Sequence, residues 1–305
     1  MAAPVPRFAS LDVVLLVVLG IIWGSAYVFI REGIVLGASP FFFAAVRYVL
    51  SAIGFALLAV LLRERLPSRR ALAISAGVGG IFVVGLYGGF LYWGEQYTTG
   101  AYASMLSTTA PILTVVVAFF FLPDERLSAR SLLGLAVGFG GVGVLLYPQL
   151  LSGPGGWAGP VVIIGAFLSA AVGAVLLRRY GLGRQGLYQI GAQFAVAGAM
   201  LGVASFALPG SDSFPNTAGV WESLAALVLL SSLCGYFIYF LLLHRVGPVR
   251  ANAVTYLIPL SGIGLGAGFF GEAITPVAIV GFVIVLVGVT FVVLGSVPSH
   301  ASAGS

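Results

Sequence analysis

The chain has 305 residues, of which 60% are hydrophobic and only 8% are charged. Soluble globular domains carry about 25% charged residues. This composition therefore excludes a water-soluble fold and indicates an all-α protein embedded in a lipid bilayer. The formal net charge of +5 comes from arginines in short connections between apolar runs, a distribution that sets membrane topology and argues against a nucleic-acid partner.

Ten apolar runs each approach the roughly 20 residues that an α-helix needs to cross the hydrocarbon core. In chain order they occupy residues 11–30, 41–62, 71–92, 100–122, 130–147, 158–178, 187–208, 221–243, 250–270 and 276–296. No small-residue cleavage site follows the first run, so we expect it to be a retained helix rather than a signal peptide. Residues 1–10 are predicted to be an N-terminal cytoplasmic segment and residues 297–305 a disordered tail.

The arginines predict the orientation of these spans. With the N-terminus inside, the cytoplasmic segments hold twelve of them: Arg7, Arg63, Arg65, Arg69, Arg70, Arg126, Arg130, Arg178, Arg179, Arg184, Arg245 and Arg250. Arg31 alone falls outside, and Arg47 lies within a span. Since positive charges concentrate in cytoplasmic loops, both termini are predicted to be cytoplasmic.

The two halves of the chain repeat one pattern. A proline is followed by a glutamate and two glycines, as Pro111, Glu125, Gly134 and Gly141 and again as Pro259, Glu272, Gly281 and Gly288. The glutamate-to-glycine spacing is nine residues and the glycine-to-glycine spacing seven in both halves. The predicted repeats are 11–147 and 158–296, each of five spans, so the second enters the membrane inverted. Inverted repeats are typical of secondary transporters, with a substrate site between the halves near mid-membrane.

These residues, together with Trp23-Gly24-Ser25 in span one and Arg47 early in span two, resemble the drug/metabolite transporter superfamily, specifically its ten-helix EamA-type exporters. The resemblance covers residues 10–296. By overall likeness and aromatic content the chain is most similar there to bacterial aromatic amino acid exporters. The resemblance implies a basket of ten helices, alternating access, and a central cavity lined mainly by spans one, three, four, six, eight and nine.

The candidate substrate-binding residues are aromatic and small polar side chains on the spans that the resemblance places around the cavity. They are Trp23, Tyr27, Tyr87, Phe90, Tyr102, Ser107, Tyr236, Tyr239, Asn252 and Tyr256. Aromatic walls suit flat apolar side chains, and a few hydroxyls would orient them. The alternative is that these aromatics belong to the belts that tyrosine and tryptophan form at membrane interfaces.

For the charged residues and prolines within or beside spans, we predict structural roles and keep functional roles as the alternatives. Arg47 is predicted to clamp carbonyl groups or an acid, with attraction of a substrate carboxylate as the alternative. Glu125 and Glu272 are predicted to satisfy amides at helix starts, with proton coupling as the alternative. For Glu95, helix capping and contact with an ammonium group both stay open. Pro111 and Pro259 lie inside predicted helices and are kink or gating candidates.

The function predicted from these features is a secondary transporter in the bacterial inner membrane, exporting neutral or zwitterionic metabolites, with aromatic or large apolar amino acids favoured. Export of other metabolites or drugs is the alternative. A membrane-embedded enzyme acting on a lipid is the alternative from another class, but the sequence lacks the metal clusters or paired acids it would need. Only a small-molecule substrate and the bilayer are expected as partners, with no cofactor and no metal. The oligomeric state stays open, with a monomer as one option.

Overall fold

The computed structural model describes residues 10–122, 128–151, 156–183, 185–207 and 215–295. Both predicted terminal segments, except Ser10, lie outside these ranges. The spans are α1 (Ser10–Val35), α2 (Pro40–Leu61), α3 (Arg69–Gly94), α4 (Gly100–Phe121), α5 (Ala129–Leu151), α6 (Ala158–Arg179), α7 (Leu187–Ala207), α8 (Ala218–Val246), α9 (Val254–Phe269) and α10 (Pro276–Gly295). A short helical turn, Pro248–Ala251, precedes α9.

Within the described ranges, nine of these helices have the length and apolar composition of a membrane span. The tenth, α9, is apolar but has only 16 residues. Large apolar side chains on the outside are well exposed, as for Leu61 at 75%, Phe120 at 75% and Phe206 at 77%. Lipid is the solvent that accepts such a surface, and helices satisfy their own backbone groups within it. The prediction of an all-α integral membrane protein with ten spans is confirmed.

The most extensive helix contacts pair elements of one half with elements of the other. In the first half α1 packs on α8 and α9, and in the second its counterpart α6 packs on α3 and α4. The pairs α2–α7 and α5–α10 each join equivalent helices of the two halves. Exchanging the halves therefore reproduces the same pairing, which is the pseudo-symmetry of an inverted repeat.

The glycines of the repeated sequence pattern lie at the crossing of α5 and α10. A methyl group on Gly134 would lie 2.6 Å from the main-chain nitrogen of Val292, and one on Gly141 would lie 2.6 Å from that of Val285. Gly281 and Gly288 are equally close to the backbone of α5. Only glycine permits backbones to approach so closely, so the repeated glycines explain why these two helices pack together.

Two equivalent spans contain π-helical stretches. In α3 the stretch is Ser75–Leu86, and in α8 it is Ala226–Cys234. Neither stretch was predicted from the sequence. Long π-helical segments are rare, and π-helical turns are frequent at functional sites. Because these two stretches occur in the third span of each half, both halves place the same kind of irregular helix next to the space between the two halves.

The two repeated prolines occupy different environments. Pro259 lies inside α9, as predicted. The helix of α4 instead breaks at Ser107 and Thr108, and Pro111 is the third residue of the new helical segment Thr109–Phe121. Amides of a first turn have no partner within their helix, so proline costs little there. The prediction that Pro111 lies inside a continuous helix is therefore wrong.

Polar contacts mark the two ends of the helix bundle. At one end, Arg245 Nε donates to Asp12 Oδ1 at 2.6 Å. At the other, Arg31 Nη1 donates to the main-chain carbonyl oxygens of Glu95 and Gln96 at 2.6 and 3.1 Å. These ends are referred to below as the Asp12 end and the Glu95 end.

Candidate functional site

A cavity of about 270 Å³ lies between the two halves. This volume is near the lower limit of the roughly 300–1,000 Å³ typical of small-molecule sites. Its wall comprises Trp23, Ala26, Tyr27, Ile30, Arg47, Tyr48, Val83, Val84, Tyr87, Leu91, Ala170, Phe194, Ser231, Tyr236 and Ile258. Both π-helical stretches contribute to it, through Val83 and Val84 on α3 and Ser231 on α8.

Arg47 is the one charged residue on this wall within the described part of the chain. It is 8% exposed; its Nη1 donates to the Tyr92 hydroxyl at 3.0 Å and its Nη2 to Ser231 Oγ at 3.1 Å. Among the described residues, Nε has no hydrogen-bond partner and no carboxylate lies within ion-pair distance of the guanidinium. A buried cation is normally paired with an anion. The partners found here are neutral hydroxyls, so the expected carbonyl groups or acid are not what holds Arg47.

Aromatic rings form the side of the cavity nearer the Asp12 end. Trp23 packs edge-on against Tyr236, with ring centroids 5.8 Å apart, and its Nε1 donates to the Ser231 carbonyl oxygen at 3.2 Å. Tyr236 in turn packs against Phe55 and Phe194 at 5.5 and 5.8 Å. Such edge-to-face contacts fix ring positions and leave an apolar surface facing the cavity.

Two hydroxyls supply polarity on the α1 and α3 sides of the cavity. The hydroxyl oxygens of Tyr27 and Tyr87 are 3.4 Å apart. Tyr87 also packs edge-on against Phe167 on α6, with centroids 5.7 Å apart. A wall of aromatic rings, several hydroxyls and one cation is chemically suited to a small molecule with an apolar ring and an anionic group.

Comparison with known proteins identifies the family to which this fold and site belong. Residues 11–147 match the EamA-like transporter family, and residues 157–294 match it a second time. The chain belongs to the EamA-like transporter family. It is therefore a membrane transporter of the drug/metabolite transporter superfamily, built from two related halves.

Individual relatives of this EamA-like transporter span nearly its whole length. It is 29% identical over 282 residues to the uncharacterized inner membrane transporter YedA of Escherichia coli K12, covering 90% of this chain and 88% of that protein. It is 27% identical over 285 residues to a probable terminal-alkyne amino-acid exporter of Streptantibioticus cattleyicolor, covering 91% of each. A solved crystal structure shares its fold with a TM-score of 0.63 at 18% identity, covering 94% of this chain and 98% of the other.

Four predicted substrate-binding residues of this EamA-like transporter line the cavity, namely Trp23, Tyr27, Tyr87 and Tyr236. Tyr239 lies directly beside it, with its ring 5.3 Å from Trp23 and its hydroxyl donating to Asn252 Oδ1 at 2.7 Å. Asn252 is exposed and lies outside the lining. These two residues therefore connect the aromatic wall with the Asp12 end.

The remaining four predicted binding residues are not on the cavity wall. Phe90 is 40% exposed and lines an apolar surface groove between α2, α3, α6 and α7. The Tyr102 hydroxyl donates to the Leu145 carbonyl oxygen. Tyr256 packs against the cluster around Val285, and Ser107 Oγ donates to the Ser104 carbonyl oxygen. Tyr102 and Tyr256 thus contact neighbouring helices, the Ser107 hydrogen bond lies within α4, and Phe90 faces the surface groove.

The helices that line the cavity differ from those that the resemblance implied. No residue of α4 contributes to the lining, whereas α2 contributes Arg47 and Tyr48, and α7 contributes Phe194. The reason is that α4 packs behind α1: a methyl group on Gly100 would lie 2.7 Å from the Tyr27 carbonyl oxygen. Sequence reasoning missed Tyr48, Phe194 and Ser231. For Ser231, the available signal was the pair Ser231 and Ser232 within the otherwise apolar run of residues 224–234.

The cavity is closed toward the Glu95 end. Ile30 and Leu91, on the wall nearest that end, are 1% and 3% exposed. Toward the Asp12 end, by contrast, Tyr236 and Tyr239 are only partly buried. The two ends of the cavity are thus unequal, as expected for a transporter that opens one end at a time.

Glu272 lies at the Glu95 end and holds a helix of the other half. Its carboxylate accepts hydrogen bonds from the main-chain nitrogens of Gly100 at 2.9 Å and Ala101 at 2.7 Å. An anion here satisfies free amides and interacts favourably with the helix dipole. The helix concerned is α4, not the α10 that follows Glu272 in the chain. Glu125 falls outside the described residues.

Among the described residues there is no group of three histidine, cysteine, aspartate or glutamate side chains that could hold a metal ion. Cys234 is an exposed free thiol on α8.

Proposed function

We propose that this EamA-like transporter exports small zwitterionic amino acids with aromatic or large apolar side chains, by alternating access between its two halves. The observation that carries the proposal is Arg47, a buried guanidinium on the cavity wall without a carboxylate partner among the described residues. A substrate carboxylate would supply the missing negative charge. The site then gains an ion pair only while substrate is bound.

The geometry of the guanidinium supports this role. Its two Nη atoms are oriented by Tyr92 and Ser231, at 3.0 and 3.1 Å, so the planar group is fixed before substrate arrives. Nε has no partner among the described residues and is available as a donor. Arginine is suited to planar carboxylate recognition, and a group that is already ordered loses less entropy on binding.

The aromatic wall supports the choice of side chain. Trp23 and Tyr236 present ring surfaces to a cavity that is otherwise lined mainly by further aromatic rings and by aliphatic side chains. A flat apolar side chain would bury its surface there, at about 25 cal/mol per Å² of apolar area removed from water. A second carboxylate, as in glutamate, would have no second cation on this wall. Glutamate is therefore expected to bind poorly.

The direction of transport and the topology belong to the same proposal. The arginine distribution supports a topology with the Asp12 end and both termini in the cytoplasm, and the relative named as an inner membrane transporter supports a bacterial inner membrane. The relative named as a probable amino-acid exporter supports export of this class of molecule. The cavity, closed at the Glu95 end, would then receive substrate from the cytoplasm.

The parts that move are proposed to be the interrupted helices. The π-helical stretches of α3 and α8, the break in α4 before Pro111, and Pro259 within α9 all weaken the regular backbone pattern beside the cavity. Such positions can change geometry without breaking a continuous hydrogen-bond ladder. Pro111 and Pro259 are accordingly proposed as hinge residues.

Counterflow in liposomes tests the proposal. Purified protein would be reconstituted with unlabelled phenylalanine, tryptophan, threonine or glutamate inside, and uptake of radiolabelled phenylalanine measured against protein-free liposomes. Phenylalanine and tryptophan are expected to drive exchange strongly, threonine weakly and glutamate not at all. Equal exchange by all four, or exchange by none, would overturn the substrate assignment and leave the family membership intact.

A further inference from the structure

Glu95 is a fully buried acid that the transport site does not use. It follows α3 directly, in the connection to α4, and is 0% exposed. Both carboxyl oxygens are buried, and neither has a hydrogen-bond partner among the described residues. It therefore neither caps a helix nor meets a cation at a water-filled entrance, the two roles that its sequence position suggested. An ionised carboxylate in such surroundings is strongly disfavoured, whereas the neutral acid is tolerated.

The nearby cations are bound to other groups. The Arg31 guanidinium, on α1, donates to the main-chain carbonyl oxygens of Glu95 and Gln96 rather than to the Glu95 carboxyl. Arg47, on α2, donates to Tyr92 and a serine hydroxyl at the cavity. Neither forms an ion pair with Glu95 in the described structure. The carboxyl group therefore lacks the partner that a permanent negative charge would need.

The other titratable groups facing Glu95 do not favour its ionised form. The Glu272 carboxylate, from the connection between α9 and α10, is negative and bound to the amides at the start of α4. The phenols of Tyr27 on α1 and Tyr92 on α3 also face Glu95. Burial above all, and then the Glu272 carboxylate, raises the pKa of the Glu95 carboxyl well above its usual range, against the lowering influence of Arg31 and Arg47.

We propose that Glu95 is a proton-binding site whose occupancy controls the closure of the Glu95 end. The carboxyl group is protonated while that end is closed, and it releases the proton to water when the end opens and the side chain becomes hydrated. Closing therefore takes up one proton. The inference rests on the geometry of this end and on the chain being a transporter, not on which substrate it carries.

The sign of the pH dependence follows from this linkage. The closed form holds its proton more tightly than the open form, so it is most favoured at low pH. As the pH rises from the ordinary range of a glutamate through the raised pKa, the open form ionises and the closed form loses relative stability. Acid outside the membrane would thus keep this end shut.

A metal cation is a poorer occupant than a proton. Hard cations require several oxygen ligands. The main-chain carbonyl oxygens of Glu95 and Gln96 are already taken by Arg31, whose positive charge would also repel a second cation. Besides the Glu95 carboxyl oxygens, only Thr98 Oγ1 is a buried oxygen of this connection without a partner among the described residues. These oxygens are too few to coordinate a hard cation. A proton needs only one carboxyl oxygen.

Infrared difference spectroscopy of the purified, substrate-free protein tests the proposal. The wild type is expected to show the carbonyl band of a protonated carboxylic acid that persists at neutral pH and disappears only under alkaline conditions. Glu95→Gln should lack this band, and Glu222→Gln, which alters an exposed acid, should retain it. Absence of the band from the wild type at neutral pH, or its survival in Glu95→Gln, would overturn the proposal.

A second measurement links the proton to transport. Phenylalanine counterflow is expected to accelerate as the pH at the Glu95 end is raised in the wild type, and to be independent of that pH in Glu95→Gln. If the substrate assignment is wrong, counterflow fails in every variant while the infrared band is unaffected, so the two failures are distinguishable. Should Glu95→Gln not purify as a monodisperse protein, Glu95→Asp replaces it, with a shifted band expected.

Discussion

The guanidinium of Arg47 and the hydroxyl of Tyr92 are 3.0 Å apart, and this contact fixes a cation of α2 against α3 at the edge of the cavity. The contact is buried, since Tyr92 is 0% exposed. Hydrogen bonds involving a charged group contribute about 1.5–3 kcal/mol. Tyr92 therefore holds the guanidinium in place without neutralising it, which leaves its charge for a ligand.

Replacing Arg47 tests whether the planar guanidinium, and not positive charge alone, binds the substrate. Arg47→Lys keeps the charge but loses the fork that contacts Tyr92 and Ser231 together. We expect phenylalanine affinity to fall about tenfold in Arg47→Lys and about 10- to 100-fold in Arg47→Gln. Tyr92→Phe, which removes only the orienting hydroxyl, should cost a few-fold. Equilibrium binding of radiolabelled phenylalanine measures all three affinities. Wild-type affinity in Arg47→Lys would show that positive charge alone suffices, and wild-type affinity in Arg47→Gln would contradict carboxylate recognition.

The aromatic wall predicts a contrast between two aromatic residues. Tyr236 lines the cavity, whereas Phe90 lines the surface groove. Tyr236→Ala should weaken phenylalanine and tryptophan binding about tenfold or more, because burial of a ring on an aromatic surface is lost. Phe90→Ala, the matched control, should bind both like the wild type. The reverse ranking in the same binding assay would mean that the groove, not the cavity, holds the substrate.

The crossing of α5 and α10 predicts that two glycines on one helix respond differently to substitution. A methyl group on Gly141 would press on the backbone of α10, whereas one on Gly143 meets nothing within 4 Å. Gly141→Ala should reduce the free energy of unfolding by about 1–3 kcal/mol through overpacking. Gly143→Ala should be neutral, or stabilising by up to about 1 kcal/mol, because alanine favours helix. Thermal unfolding in detergent measures the difference, and equal midpoints would contradict the close crossing.

The contact of Glu272 with α4 predicts that removing the Glu272 carboxylate lowers stability without changing substrate preference. Glu272→Ala removes the acceptor for the amides of Gly100 and Ala101, and we expect a cost of about 0.5–2 kcal/mol in unfolding free energy. The ranking of substrates should stay as in the wild type, because Glu272 does not line the cavity. Thermal unfolding and competition binding check these two statements separately. A changed ranking would assign Glu272 to the binding site.

Much of the architecture could be read from local features of the sequence. Span length and apolar content depend only on neighbouring residues, so the ten helices were predictable. The repeated glycines Gly134, Gly141, Gly281 and Gly288 were recognised by their spacing, and the structure adds that they meet at one crossing. The family match over both halves confirms the two-repeat fold.

The orientation of side chains around the cavity was less predictable. Tyr87 and Phe90 are three residues apart on α3, yet one lines the cavity and the other the surface groove. The π-helical stretch that ends at Leu86 rotates the whole segment after it, so a period of 3.6 residues counted from the start of α3 does not assign which of these residues face the cavity. Arg47 was recognised as a charge within a span, but its place on the wall depends on how α2 packs against helices far away in the chain.

The central claim is that Arg47 binds the carboxylate of an aromatic amino acid, and the most direct test compares ligands that differ only in that group. Liposomes containing the wild type or Arg47→Gln would be loaded with phenylalanine, phenethylamine or no ligand, and radiolabelled phenylalanine uptake followed. In the wild type, phenylalanine should drive uptake and phenethylamine, which lacks the carboxylate, should not. Arg47→Gln should lose the phenylalanine response. Equal uptake with phenylalanine and phenethylamine inside, or an undiminished response in Arg47→Gln, would contradict the claim.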